Sequence, residues 1–103
     1  MTTNCVLVET LTGIRRRGGP GVAVSFGEAV YGGVLPGLIR YERIDPGRET
    51  QAFLLFTRFR DLPGLSFTDC TSFVVMRALG IRDAFTGDAD FERVGLGFRR
   101  LLT

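Results

Sequence analysis

Leu7, Leu11 and Ile14 recur at the i, i+4, i+7 spacing of one helical face, which predicts a helix over residues 5–17 capped by Thr3 or Asn4. A turn of 100° per residue puts Glu9 on the opposite side, with Cys5, Thr12 and Arg16 as its neighbours. Residues 5–8 are apolar all round, so the first turn should be buried on both faces and Glu9 should border the interior. Gly18, Gly19, Pro20 and Gly21 break the pattern. A second helix over 22–31 follows, with Val22, Phe26, Ala29 and Val30 on one side, and Gly32 and Gly33 end it. Residues 35–44 carry Leu38, Ile39, Tyr41 and Ile44 behind an early Pro36, the content of a strand.

Asp45 can cap a third helix with Pro46 at its first position, buried through Ala52, Leu55, Phe56 and Phe59 and running to Asp61. After the Leu62-Pro63-Gly64 turn, Ser66 and Thr68 are both good N-caps for an apolar run, Phe73, Val74, Val75, Met76, Ala78 and Leu79, that stops at Gly80. A helix this apolar on most faces is the most buried element predicted, and Asp69 stands at its mouth. There the unsatisfied N–H groups and partial positive charge of the helix terminus favour an ionised carboxylate. Residues 81–86 predict a short strand, 87–92 a loop entering a short helix, and 96–102 a final strand with Phe98 and Leu101 inward.

Helices alternating with short strands predict an α/β fold whose parallel sheet is covered on both faces. In such sheets ligands bind beyond the carboxyl ends of the strands, where Asp88 falls. Asp69 and Asp88 are thus expected to open onto one sheet edge, close enough to share a cation.

Length fits one domain: 103 residues can bury roughly two-thirds of the unfolded surface. Hydrophobic content of 45% and nine Phe support a core, and 23% charged residues support solubility. A net charge of +2, from 13 basic and 11 acidic residues, gives no broad nucleic-acid footprint, so phosphate contacts must be local. Basic residues do cluster, at Arg15-Arg16-Arg17, at Arg58 and Arg60, and at Arg99-Arg100. Two cysteines without a C-x-x-C, and no histidine, exclude a Cys/His zinc site; Cys5 and Cys70 read as small buried thiols. No stretch reaches membrane-spanning length, and the N-terminus lacks the order of a signal peptide, which predicts a cytoplasmic chain.

Carboxylates without imidazole or thiolate partners suit hard cations. One such ion or a pair can polarise a phosphoryl oxygen, lower the pKa of bound water and steady a leaving oxygen, which is phosphodiester hydrolysis without a nucleophilic side chain. Glu9, Asp69 and Asp88 are the acids in question.

The run T-D-C-T-S-F-V-V-M-R-A-L-G-I-R-D-A-F-T-G-D-A-D-F, with T-N-C-V-L-V-E-T-L-T-G-I-R-R-R near the start, resembles the PIN-domain nucleases, in particular the VapC-like toxins of toxin–antitoxin pairs. That resemblance implies RNA as substrate, Mg²⁺ or Mn²⁺ on a quartet of acids, an antitoxin protein as partner, and a homodimer. Glu9 is similar to the family's second acid, Asp69 to the third and Asp88 to the fourth. Asp90 looks like an auxiliary metal acid, and Thr68 and Thr86 resemble the hydroxyl residues that orient the carboxylates.

The family's first acid lies on a central strand near its start, and no Asp precedes Glu9 here. The chain therefore reads as a single, partial PIN-like domain over residues 1–103, an N-terminally truncated three-layer α/β fold. Three functions fit: a metal-dependent endoribonuclease toxin; a PIN remnant that cleaves nothing and serves antitoxin binding or dimerisation; and a small α/β ligand-binding domain with coincidental acids.

Overall fold

Thr3 ends a strand and starts a helix. In the computed structural model, which describes residues 1–84, 86 and 88–102, its hydroxyl accepts the Val6 N–H at 3.1 Å and so satisfies a free donor of α1 (Asn4–Gly18). β1 (Thr2–Thr3) pairs in parallel with β2 (Tyr41–Glu42), Thr2 opposite Tyr41 and Thr3 opposite Glu42. Just past that ladder the Asn4 side-chain oxygen accepts the Ile44 N–H at 2.7 Å. Gly19 alone links α1 to α2 (Pro20–Val34), and its φ of 89° lies in the region open to glycine. Its N–H closes on the Arg15 carbonyl, while Pro20 opens the next helix. These elements make one compact unit, Met1–Asp45.

The face that α2 buries differs from the expected one. Ala23 and Gly27 are buried, while Val22 and Phe26 are exposed. Small side chains let the two helices approach: a Cβ on Gly27 would sit 3.4 Å from Leu11 Cδ2. The bulkier residues are left outside that contact. The predicted strand over 35–44 shortens to Tyr41–Glu42, because α2 continues to Val34 and a turn through Gly37, with φ of 80°, occupies the interval.

The second compact unit is Pro46–Thr103. α3 (Pro46–Arg58) turns Ala52 and Leu55 inward and packs against α4 (Phe67–Leu79). As predicted, α4 is the most buried helix, with Cys70, Thr71, Phe73, Val74, Val75 and Met76 all inside. Its end is set by Gly80 in the left-handed conformation, φ 69°. Beyond it β3 (Asp83–Ala84) pairs in parallel with β4 (Arg99–Arg100), and α5 (Asp90–Arg93) lies between them in sequence. Phe73 lies edge-on to Phe91, with ring centres 4.9 Å apart, and stacks on Phe98 at 5.3 Å.

Parallel pairing, the expected signature of the α/β class, is present in both units. Among the described residues it takes the form of two separate two-stranded ladders. Phe98 is buried as foreseen, whereas Leu101 is exposed because β4 ends at Arg100. Phe85 and Gly87, within the predicted strand and loop, lie outside the described residues.

Candidate functional site

Asp69 is held by a reciprocal cap at the start of α4. The Ser66 backbone is extended, with φ −85° and ψ 160°. Its hydroxyl accepts the Asp69 N–H at 3.0 Å, and its own N–H donates to Asp69 Oδ2 at 3.1 Å. This capping box satisfies two donors at once and fixes the carboxylate at the positive end of the helix. Asp69 is half-buried, at the lip as its sequence context predicts. Thr68, one residue earlier, is also half-buried, and its carbonyl accepts the Thr71 hydroxyl at 2.6 Å.

A second set of contacts orders the acids before α5. Thr86 Oγ1 accepts the Asp88 N–H at 3.1 Å, and Asp88 Oδ1 accepts the Asp90 N–H at 2.9 Å. Thr86 thus positions Asp88 through its amide. Asp88 is exposed, whereas Asp90 is only 7% exposed and pairs with Arg93 at 3.2 Å. Burial therefore favours the acid expected to be auxiliary. The cause is Phe91, which docks on Phe73 and draws its neighbour Asp90 inward.

Gly64 joins the two sets. A Cβ there would stand 3.4 Å from Asp90 Oδ2, so the Asp90 carboxylate lies against the loop that runs two residues later into the Ser66 cap. The structure thus brings the Asp88–Asp90 segment and the Asp69 segment to the same loop of the second unit. Gly64 and Arg93 escaped the sequence reading; the i, i+3 spacing of Asp90 and Arg93 was the signal available for the second.

Glu9 lies on α1 of the first unit and is exposed. The expectation that it borders the interior is not met, because the first turn of α1 buries one face only: Leu7 is 3% exposed while Val8 is 65% exposed.

Among the described residues no three Asp, Glu or Cys side chains gather around one point. A small hard cation does not require three. Mg²⁺ keeps several waters and is usually held by one or two carboxylates plus substrate phosphates. The oxygen-only donors Asp69, Asp88 and Asp90 fit that chemistry.

Of the two cysteines, both free, Cys70 is buried as expected and Cys5 only half-buried. Burial, and next the negative charge of Asp69, push the Cys70 thiol from 9.0 up to about 11. In metal-free buffer at pH 8, a thiol reagent is expected to label Cys5 in the folded chain and Cys70 only after unfolding. The raised value also has a pH signature. Below pH 9 neither state ionises the thiol; between 9 and 11 the unfolded chain loses its proton first, so stability falls as pH rises. At about 1.4 kcal/mol per unit the loss is on the order of 2–3 kcal/mol, measurable by urea titration across that window. Equal labelling of both thiols in the folded chain would contradict this placement.

No family profile matches the chain. Two curated relatives, both the 23S rRNA-specific endonuclease VapC20 of Mycobacterium tuberculosis from strains CDC 1551 and H37Rv, are 40% identical over 95 residues, covering 92% of this chain and 69% of their own. The crystal structure of Mycobacterium tuberculosis VapC20, described as a sarcin-ricin loop cleaving toxin, aligns with a TM-score of 0.80 at 38% identity, covering 92% of this chain and 69% of that one.

Proposed function

The chain belongs to the VapC family of PIN-domain toxin ribonucleases, and on that premise we propose that it cleaves a ribosomal RNA stem-loop of the sarcin-ricin type, using Mg²⁺ or Mn²⁺ held by acidic side chains. Its α/β PIN-like fold and its endoribonuclease class follow from the family. The observation that carries the site is the Ser66–Asp69 capping box set against the Asp88–Asp90 segment across Gly64.

Asp69, Asp88 and Asp90 are the proposed metal-holding acids of the second unit, and Glu9 is that of the first. When bound, the cation would polarise the phosphoryl oxygen and lower the pKa of the attacking water. The protein's own contribution is order established in advance. Ser66 holds the Asp69 carboxylate, Thr86 holds the Asp88 amide, and Arg93 balances the charge of the buried Asp90. Carboxylates already fixed in this way lose little freedom when a ligand arrives.

VapC toxins pair with antitoxins, and an antitoxin partner and a homodimer complete the proposal. Apolar side chains left exposed on α2 (Val22, Val24, Tyr31) and on α3 (Phe53, Leu54) are surface suited to protein partners. A ribosomal target places the action in the cytoplasm. No helix among the described residues is long and apolar enough to cross a membrane.

The test is a sarcin-ricin hairpin labelled at both ends, incubated with the chain and Mn²⁺. Cleavage at one position, stopped by EDTA and restored by excess Mg²⁺ or Mn²⁺, is the expected result. The same ions should raise the melting temperature, since a ligand of the folded state stabilises it by RT ln(1 + [L]/Kd). Cleavage that persists unchanged in EDTA would eliminate the metal from the proposal.

A further inference from the structure

All 13 basic residues of the chain are arginine, the side chain whose planar fork suits phosphate oxygens. Three of them, Arg15, Arg16 and Arg17, close α1 consecutively, and all three are exposed. Consecutive residues on a helix point in different directions, so they cannot share one role. Arg16 follows Glu9 by seven residues, which places it about 20° from the Glu9 direction and about 10 Å further along the axis. Thr12, also exposed, lies between them on the same stripe. Arg17 stands about 80° to one side and Arg15 about 120° to the other. Arg15 lines instead, with Leu11, Val24 and Tyr31, the groove of about 690 Å³ between α1 and α2.

We propose that Arg16 is a substrate-positioning residue: it holds an RNA phosphate a few nucleotides from the one cleaved, along the α1 stripe Glu9–Thr12–Arg16. This rests on the reading of Glu9 as a metal-holding acid. An exposed acid that holds a cation on the scissile phosphate and an exposed guanidinium two turns away on the same rigid helix would grip two points of one strand. Among the described residues Arg16 makes no ion pair that would occupy it. The alternative role for these arginines is to complement the partial negative charge at the end of α1. That role is nearly indifferent to direction around the axis, so it predicts equal effects for all three.

The experiment compares Arg15→Ala, Arg16→Ala, Arg17→Ala, Arg16→Lys and Glu9→Gln in the full chain. Anisotropy of a fluorescein-labelled sarcin-ricin hairpin in EDTA, titrated at several salt concentrations, reports binding without cleavage; a parallel assay with Mn²⁺ reports kcat and KM. Arg16→Ala should weaken binding about tenfold, reduce the slope of log K against log[salt] by roughly 0.7–0.9 for the one phosphate lost, and raise KM with kcat little changed. Arg16→Lys should recover the slope and part of the affinity. Arg17→Ala should cost less and Arg15→Ala nothing, with all melting temperatures unchanged. Equal weakening by all three alanine variants, no weakening by Arg16→Ala, or no measurable RNA binding by the unaltered chain would overturn the inference. Glu9→Gln separates the two readings. Loss of kcat there with Arg16→Ala silent leaves Glu9 as a metal acid and removes Arg16 from the substrate path, whereas full activity of Glu9→Gln removes the premise itself.

Discussion

Replacing Asp69 by asparagine should reduce RNA cleavage at least about 100-fold while leaving the chain folded. Asparagine retains a side-chain oxygen that can accept the Ser66 N–H, and the Ser66 hydroxyl still accepts the backbone N–H at position 69. The capping box therefore survives, and what disappears is the negative charge offered to a cation. A cation held more weakly is also held less accurately, and displacement by about 1 Å can cost on the order of 100-fold in rate. Asp69→Ala removes the acceptor as well, so it should show the same catalytic loss plus about 1 kcal/mol of stability. The two variants, assayed on the hairpin with Mn²⁺ and melted by circular dichroism, separate charge from cap. Brisk cleavage by a folded Asp69→Asn chain would remove this carboxylate from the reaction.

The sequence made Asp69 legible because its surroundings are local. Ser66 three residues before it, an apolar run after it and Gly80 at the far end bracket a helix with little dependence on the rest of the chain. The bracketing signals of α1 and α2, Thr3 and the Gly19-Pro20 pair, were local in the same way. Other features required partners that no short window contains. α2 is apolar on most sides, so its periodicity carries no phase; the close approach of Gly27 to Leu11 decides which face is buried. Two-residue parallel ladders leave no alternation to detect, and their extent follows from where the neighbouring helices end. Asp88 and Asp90 are equivalent as text in D-A-D-F, and their difference in burial comes from an aromatic contact between residues 73 and 91. Glu9 was placed too deep because four apolar residues in succession were taken to need burial on every side. The folded chain leaves Val8 exposed instead.

The aromatic contact carries the second large effect. Phe73 is fully buried in the middle of α4, edge-on to Phe91 and stacked on Phe98. It therefore ties together α4, the α5 helix that starts at Asp90, and the segment leading into β4. Phe73→Ala removes the buried ring and leaves a cavity, a change that costs about 3–5 kcal/mol. Each aromatic pair lost contributes up to roughly 1 kcal/mol of such a total beyond area alone. Small domains hold about 5–15 kcal/mol in all, so the second unit should keep little margin. At about 4–8 °C per kcal/mol, the melting temperature should fall by at least 12 °C or so. Phe53→Ala on α3 is the control, since that ring is 58% exposed and its loss should stay within about 0.5 kcal/mol. Function should follow by a different route from that of Asp69→Asn. With Phe91 unanchored, Asp90 loses the contact that draws it inward, so cleavage by Phe73→Ala should decline with the folded fraction and return in part on cooling. Asp69→Asn should stay inactive at every temperature. A Phe73→Ala chain that melts within a few degrees of the unaltered one would show that the three rings do not hold the second unit together.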